Sequence, residues 1–468
     1  MTSIRPSNVS EVVMENNASI TIKNFKSYKD ATLPLSHLTL LIGANASGKS
    51  NAIEAFRFLS WVAGGERLST LKNRVNDSDK VVRGSIKDLA FNHGNSFSLS
   101  LNYEPGISYS GVFLNEDNQL YVVAELYQEK ENKVFFHRNG KYTRIALRYL
   151  DAFDIIRLAS LEEILGMSNN ENSWMFQKIG NFEVAANFSE RDLSILSMRS
   201  FYEVIWKGFN NATKFNSINI NSLDKLAHFL TNTFFYDFVP SAMRQDSVIE
   251  TVLVNSGANL AGVLCYLCKE NLEHKGKILQ LVQSLPEQDI TDIKFYTDKR
   301  ERVEFLLCES FGDTSTERTM DLLSDGTLKV LGIATALLSV PKGSTVVIEE
   351  IDNSIHPNRA NEILSLIRQY AEERSLNLLL STHNPALMDA LPDEALADVV
   401  FCYRDPQQGD SKLVRLGDLD NYLGLVAQGS LGDLVTQGVV ERFVKHPTTS
   451  EERKQQALNW LNQLKEAD

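Results

Sequence analysis

Along the chain the spacing of apolar and polar positions switches between strand and helix periods several times. The stretch "SITIKNFKSYKDATLPLSHLTLLIG" holds three short runs rich in Ile, Leu, Phe and Thr, broken at Lys-Asp and Pro-Leu-Ser, and predicts three strands. The third run, "LTLLIG", is apolar throughout, as a strand buried on both faces requires, and a helical run from Lys49 to about Trp61 follows it. From Phe97 to about Tyr149 the residues alternate apolar and polar around the turn "RNGK", which predicts an antiparallel sheet. Between about Leu150 and Thr233 the period turns helical, and an inserted helical lobe is expected. Strand signals return at "IKFYTD" and "RVEFLLCES". They are followed by the helical stripe "LSDGTLKVLGIATALLSV", the strand "STVVIEEID", a helix from about Pro357 to Glu373, the buried strand "NLLLST", a short helix after "HNP" and the strand "DVVFCY". Strands alternating with helices predict a mainly parallel sheet. The tail after Arg404 reads as a short polar strand and several helical segments.

Two stretches carry chemistry. Gly43-Ala44-Asn45-Ala46-Ser47-Gly48-Lys49-Ser50 fits G-x-x-x-x-G-K-[ST] in full, between a predicted strand and a predicted helix. Its glycines let the backbone wrap so that successive N–H groups face phosphate oxygens, with the partial positive charge of the helix N-terminus behind them. Lys49 is expected among the β- and γ-phosphates, Ser50 on Mg²⁺, and Asn45 to Asn51 along the nucleotide. The alternative is an ordinary glycine-rich turn. In "STVVIEEIDNSIHP" an apolar strand delivers Glu349 and Glu350 at its C-terminal edge, where open parallel sheets place their ligands. Glu349 is the expected metal ligand and Glu350 the base that activates water, against the plainer reading of a solvated acidic turn. A Glu-Glu pair departs from the commoner Asp-Glu, and the extra methylene of Glu349 suits a water-mediated contact.

Composition narrows the rest. The net charge of -13 gives no support to nucleic acid held by broad positive potential, while leaving room for a local basic groove. Four cysteines in 468 residues form no disulfide framework and fit the reducing cytoplasm. Cys265 and Cys268 are spaced to share one face of an apolar helix and are expected in the core rather than on a metal. No apolar run reaches the ~20 residues of a membrane helix, and residues 1–18 read as a polar leader.

At this point the motifs resemble a known family. "LSDGT", Leu323 to Thr327, resembles the signature motif of ABC-type ATPases, and "STHN", Ser381 to Asn384, resembles that family's switch histidine at His383. Together with "FFYDFVPSAMR", "SGANLAGVL" and "EEIDNSIHP", the N-terminal run is similar to the RecF/SMC-like ATP-binding proteins of the AAA type, which include the ATPase halves of OLD nucleases and ATPase components of phage-defence operons. The resemblance covers about residues 19 to 150 and 234 to 403. It implies an α/β fold: a P-loop ABC-type ATPase head with a mixed sheet, an antiparallel β subdomain and a helical insertion. The implied divisions are an N-terminal lobe over 19–150, the insertion over 151–233, a C-terminal lobe over 234–403 and a tail over 404–468. It further implies a homodimer or higher homo-oligomer in which two ATPs lie between two heads, Ser324, Asp325 and Gly326 of one protomer facing the γ-phosphate held by the other. Read alone, "LSDGT" is a helix N-terminus with Ser or Asp as cap, and His383 is either a γ-phosphate sensor or a residue of a helix cap. Asn92 or His93 stands where the family carries its glutamine loop, with a plain hairpin turn as the alternative. His356 stands where ABC proteins carry the D-loop aspartate.

Function is expected to be ATP hydrolysis by the ATPase component of a defence or toxin-like system that controls a separate effector, a nuclease or toxin. OLD nucleases carry a Toprim domain after the ATPase. Here Asp418-Leu419-Asp420 reads as a helix cap, and no nuclease activity is expected of this chain. The alternatives are a DNA-repair or chromosome-associated ATPase and a scaffold that binds ATP with negligible turnover. Coiled-coil arms are excluded by the absence of sustained heptads.

Overall fold

The computed structural model describes residues 18–73, 81–130, 132–139, 142–147, 183–186, 220–285, 289–311, 314–351 and 357–445. In chain order, β1 (Ala18–Phe25), β2 (Tyr28–Leu35) and β3 (Leu38–Ile42) lead into α1 (Lys49–Ala63). Next come β4 (Ser96–Glu104), β5 (Ile107–Glu116), β6 (Gln119–Glu129), β7 (Asn132–Asn139), β8 (Tyr142–Leu147) and β9 (Glu183–Ala186). Then follow α2 (Ile220–Thr231), β10 (Thr233–Tyr236), α3 (Pro240–Met243), α4 (Leu260–Glu270), α5 (Leu272–Gln283), β11 (Ile290–Thr297), β12 (Val303–Phe311) and β13 (Thr314–Thr319). The last part holds α6 (Asp325–Ser339), β14 (Thr345–Ile348), α7 (Ala360–Glu373), β15 (Asn377–Thr382), α8 (Pro385–Asp389), α9 (Asp393–Leu396), β16 (Val400–Arg404) and β17 (Ser411–Arg415), with α10 (Tyr422–Val426), α11 (Leu431–Thr436) and α12 (Val439–Lys445) behind them.

Three sheets result. An eight-stranded antiparallel sheet runs β2-β1-β4-β5-β6-β7-β8-β9, and a three-stranded one runs β11-β12-β13. The six-stranded sheet runs β10-β14-β15-β3-β16-β17, parallel throughout except for the β16–β17 pair. Its strands are apolar on both faces because each face has its own core. Leu40, Ile42, Val346, Ile348, Leu378 and Leu380 point into one core with α4 to α7, whereas Leu41, Val347, Leu379, Val400 and Cys402 point into the other with α1 and β1. The cysteine pair lies on α4 with both thiols buried, and burial pushes Cys268 up to about 12.

Of the stretch read as a helical insertion, the described residues are β9, which adds to the antiparallel sheet beside β8, α2, which packs on α1, and the first turn into β10. The polar leader up to residue 17, His356 and the charged run of the last residues lie outside the described residues.

One charge network lies inside the N-terminal core. The Glu54 side chain on α1 is 1% exposed and is ion-paired with Lys26, in the turn between β1 and β2, and with Arg83. Lys26 Nζ also donates to the Arg83 carbonyl at 2.8 Å. Burial holds the Lys26 amine below its ordinary value of 10.5, partly offset by Glu54.

Candidate nucleotide-binding site

Because β10, β14, β15, β3 and β16 are parallel, their C-terminal ends meet on one edge of the sheet. The residues that follow them are Asp237, Glu349 and Glu350, His383 and Gly43. The Gly43–Ser50 loop is held in a shape that only glycine permits at two points. Gly43 has φ 146° and Gly48 has φ 122°; a Cβ would fall 2.2 Å from the Cys402 carbonyl oxygen at the first and 2.4 Å from Ser411 Oγ at the second. Ala46 also takes a left-handed φ of 61°. Ser47 is buried, while Ala44, Asn45 and Ala46 are exposed on the rim. α1 starts at Lys49 with no side-chain cap, so its first N–H groups are not satisfied by a capping side chain. Lys49 Nζ donates to the Gly43 and Ala44 carbonyls at 2.6 and 3.1 Å, which folds the ammonium into the loop's concavity. Backbone donors, a cation and a hydroxyl around a cleared cradle fit a polyphosphate with its Mg²⁺. Asn51, expected along the nucleotide, follows on α1 and gives an Nδ2 hydrogen to Ser27 Oγ at 2.8 Å.

The two glutamates diverge. Glu349 turns inward, where the Ser50 hydroxyl hydrogen-bonds its carboxylate and Arg57 Nη2 lies 2.7 Å from Oε1. Burial raises its proton affinity above the ordinary carboxylate value and Asp237 adds to this, while Arg57 opposes it. Arg57 is itself steadied over the Phe235 ring at 5.3 Å. Glu350 has left-handed backbone, φ 49°, and an exposed side chain, and its N–H donates to Ser381 Oγ at 2.9 Å. A non-glycine residue in that region costs on the order of 1–2 kcal/mol. The bond from β15 holds the turn that throws Glu350 outward.

Ser381 and His383 share the end of β15: Ser381 is buried and His383 exposed. Asn384 caps α8, its Oδ1 accepting from the Ala386 N–H at 3.0 Å, and its own N–H donates to Thr382 Oγ1. The helix cap is therefore Asn384, which leaves the exposed His383 ring outside the capping role.

At the LSDGT turn, Ser324 caps α6 by accepting from the Thr327 N–H at 3.1 Å. Ser324 and Asp325 are exposed, and Gly326 is partly so. Arg244, just after α3, braces this turn, donating to the Leu323 carbonyl at 2.9 Å and pairing with Asp325 at 2.6 Å. Asn92 and His93 form an exposed turn with φ 50° and 57°.

Two family models match, the "AAA ATPase domain" over residues 18–225 and the "AAA domain, putative AbiEii toxin, Type IV TA system" over residues 269–389. The first holds the phosphate loop; the second holds Ser324, both glutamates and His383. Over both segments the chain is similar to AAA-type ATPase domains. No curated protein matches the chain by sequence. Among solved structures it is similar to an Smc head bound to the C-winged helix domain of ScpA, with 12% identity over 85% of this chain and 96% of that one, TM-score 0.41. It is likewise similar to the SMC head domain from Thermotoga maritima, with 13% identity over 86% and 99% of the two chains, TM-score 0.34. The fold itself is defined by the strand order described above.

Sequence reasoning passed over three residues that bond to the expected ones or act on them through charge. Arg57 stands seven residues after Ser50 on α1, two turns along the same face, so helical spacing alone could have found it. Asp237 follows β10, a strand too short to announce itself, and Arg244 lies inside "FFYDFVPSAMR" without any spacing that ties it to "LSDGT". Among the described residues no helix is long and apolar enough to cross a membrane, and no group of three His, Cys, Asp or Glu is arranged to hold a metal. A cation held by Ser50 and Glu349 would take the rest of its ligands from phosphate oxygens and water.

Proposed function

We propose that this protein binds ATP with Mg²⁺ and hydrolyses it, and that it does so as the ATPase component of a defence or toxin-like system controlling a separate effector. The observation that carries the chemistry is the opposed placement of the two glutamates at the edge that also bears the phosphate loop. Glu349 is tied to Ser50, and Glu350 is turned outward by left-handed backbone. Mg²⁺, when bound, offsets the charge that builds on the phosphate oxygens. Ser50 and Glu349 hold that cation, Lys49 meets the β- and γ-phosphates, and Glu350 Oε takes the proton of the attacking water. Exposure of Ser324 and Gly326 supports a second copy as the partner that completes the site, each signature turn meeting the other copy's γ-phosphate. His383, exposed beside Glu350's anchor, is the sensor of that phosphate. The toxin-like reading is supported by the description of the family model over residues 269–389.

The test is steady-state ATP turnover by the purified chain and by Glu350→Gln and Glu349→Gln, with ATP affinity measured for each. Glu350→Gln is expected to bind ATP as the parent does and to lose turnover, whereas Glu349→Gln loses Mg²⁺-dependent affinity. Near-parental turnover by Glu350→Gln gives the base role to another group, with His383 next in line.

A further inference from the structure

Three successive carbonyls of the phosphate loop are gripped from the sheet side by residues far away in sequence. Arg404 Nε, at the end of β16, donates to the Ala46 carbonyl at 3.3 Å. Ser411 Oγ, at the start of β17, donates to the Ser47 carbonyl at 2.5 Å. Tyr28 Oη, at the start of β2, donates to the Gly48 carbonyl at 3.0 Å. Arg404 and Ser411 also lie outside both matched family segments.

These contacts form a connected device. Ser411 Oγ lies 2.8 Å from Ser27 Oγ, which accepts from Asn51 Nδ2 at 2.8 Å. Ser411 Oγ is placed to donate to both the Ser47 carbonyl and Ser27 Oγ, and its one hydrogen is shared between them. Asn51, Ser27 and Ser411 thus form one hydrogen-bonded cluster against the loop. The Ser411 N–H donates to the Ser27 carbonyl at 2.7 Å, which locks β17 to the β1–β2 turn. Tyr28 is fully buried, and burial with the neighbouring Cys402 raises its proton affinity well above the ordinary phenol value, so it stays a donor.

We propose that Ser411 and Tyr28, assisted by Arg404, are positioning residues that aim the loop's N–H groups at phosphate. In a trans peptide the carbonyl and the following N–H point to opposite sides. Pinning the Ser47 and Gly48 carbonyls toward β17 and β2 turns the N–H groups of Gly48 and Lys49 the other way, into the cradle. The loop is thus set for an anion before one arrives, and ATP affinity is governed in part by the strand pair β16–β17. This rests on the proposed ATP site.

The experiment compares the full chain with Ser411→Ala, Ser411→Thr, Tyr28→Phe and Lys49→Ala, reading ATP affinity by calorimetry, turnover at saturating ATP, and the melting temperature without nucleotide. Ser411→Ala is expected to weaken ATP about tenfold, a single buried hydrogen bond's worth, with turnover at saturation close to the parent and nucleotide-free melting lowered by a few degrees at most, a loss that Ser411→Thr does not share. Ser411→Thr restores the affinity, and Tyr28→Phe weakens ATP by a smaller factor, because the Gly48 carbonyl it releases still accepts from the Ala52 N–H. If Lys49→Ala abolishes binding while Ser411→Ala and Tyr28→Phe bind ATP as the parent does, the positioning role is wrong and the ATP site stands. If Ser411→Ala loses affinity only in step with a fall in melting temperature that Ser411→Thr shares, the residue is structural and the proposal is overturned. A parental protein that binds no ATP removes the site and this role together.

Discussion

The backbone N–H of Glu350 donates to the hydroxyl of Ser381, 31 residues away on the neighbouring strand, at 2.9 Å. That bond spans the β14–β15 pair where both strands end, and it is the anchor for a residue whose φ of 49° is unfavourable. Removing the acceptor in Ser381→Ala frees the turn without touching the phosphate loop. Loss of about 1 kcal/mol of orientation corresponds to roughly fivefold slower turnover. ATP affinity is expected to stay at the parental value, because in the proposed mechanism Glu350 acts on water rather than on the bound phosphates. Single-turnover rates alongside equilibrium binding check this, and a variant whose affinity falls as far as its rate contradicts it.

The Glu54 network makes a prediction about stability. Glu54→Leu leaves the Lys26 ammonium, 10% exposed, without its partner, whereas Arg83 is exposed enough to be hydrated. Breaking a buried pair on one side costs about 3–5 kcal/mol, while replacing both members by apolar residues is close to neutral. Lys26→Met combined with Glu54→Leu should therefore recover most of what Glu54→Leu loses in chemical denaturation. The single variant also acquires a pH slope. Burial already lowers Lys26 below 10.5, and without Glu54 the fall deepens, so the unfolded chain binds more protons than the folded one. Stability of Glu54→Leu is then expected to rise as the pH climbs toward 10.5 and to level off above it. A flat profile would mean that the lysine escapes to water.

Much of the fold could be read from the chain because its periodicities are local. "LTLLIG" is apolar throughout since Leu40 and Leu41 face different cores, and "LSDGT" announces a helix start since Ser324 caps its own turn. The phosphate loop and glutamate pair were legible for the same reason, each sitting on one strand end. What escaped is what strand adjacency creates. The Tyr28 hydroxyl meets the Cys402 thiol across 374 residues, and Ser411 meets Ser47 across 364, pairings fixed only when β3 docks beside β16 and β2 lies against β17. The bond from the Asn51 amide to Ser27 has no signal in the sequence for a related reason, since the β1–β2 turn is brought to α1 only by the fold.

Duplex DNA is expected to change ATP turnover by less than about twofold when no other protein is present, because a net charge of -13 gives the phosphate backbone little to neutralise. Turnover measured across a salt series decides it. Strong stimulation that fades with added salt would favour a DNA-clamping ATPase over the defence or toxin-like reading.

The last prediction concerns the signature turn. Ser324 and Asp325 are exposed at the start of α6, Leu322 beside them is 70% exposed, and Arg244 braces the turn from α3. A helix N-terminus held rigid and open in this way is suited to an anion presented by another molecule. In the proposed dimer, the Lys49→Ala defect lies on the copy that holds ATP and the Ser324→Arg defect on the copy that completes the site. Each variant alone spoils both composite sites. Mixed in equal amounts, the two variants form some dimers with both defects in one site and the other site intact. Mixtures should therefore regain up to about a quarter of parental turnover, since half of randomly formed dimers are mixed and each keeps one of two sites. Recovery should follow protein concentration, as association requires. Light scattering with ATP and the Glu350→Gln variant, which binds without hydrolysing, supplies the accompanying mass, expected at twice the chain. If mixtures stay as inactive as either variant while that mass is dimeric, Ser324 does not act across the interface and the signature turn belongs to its own chain's site.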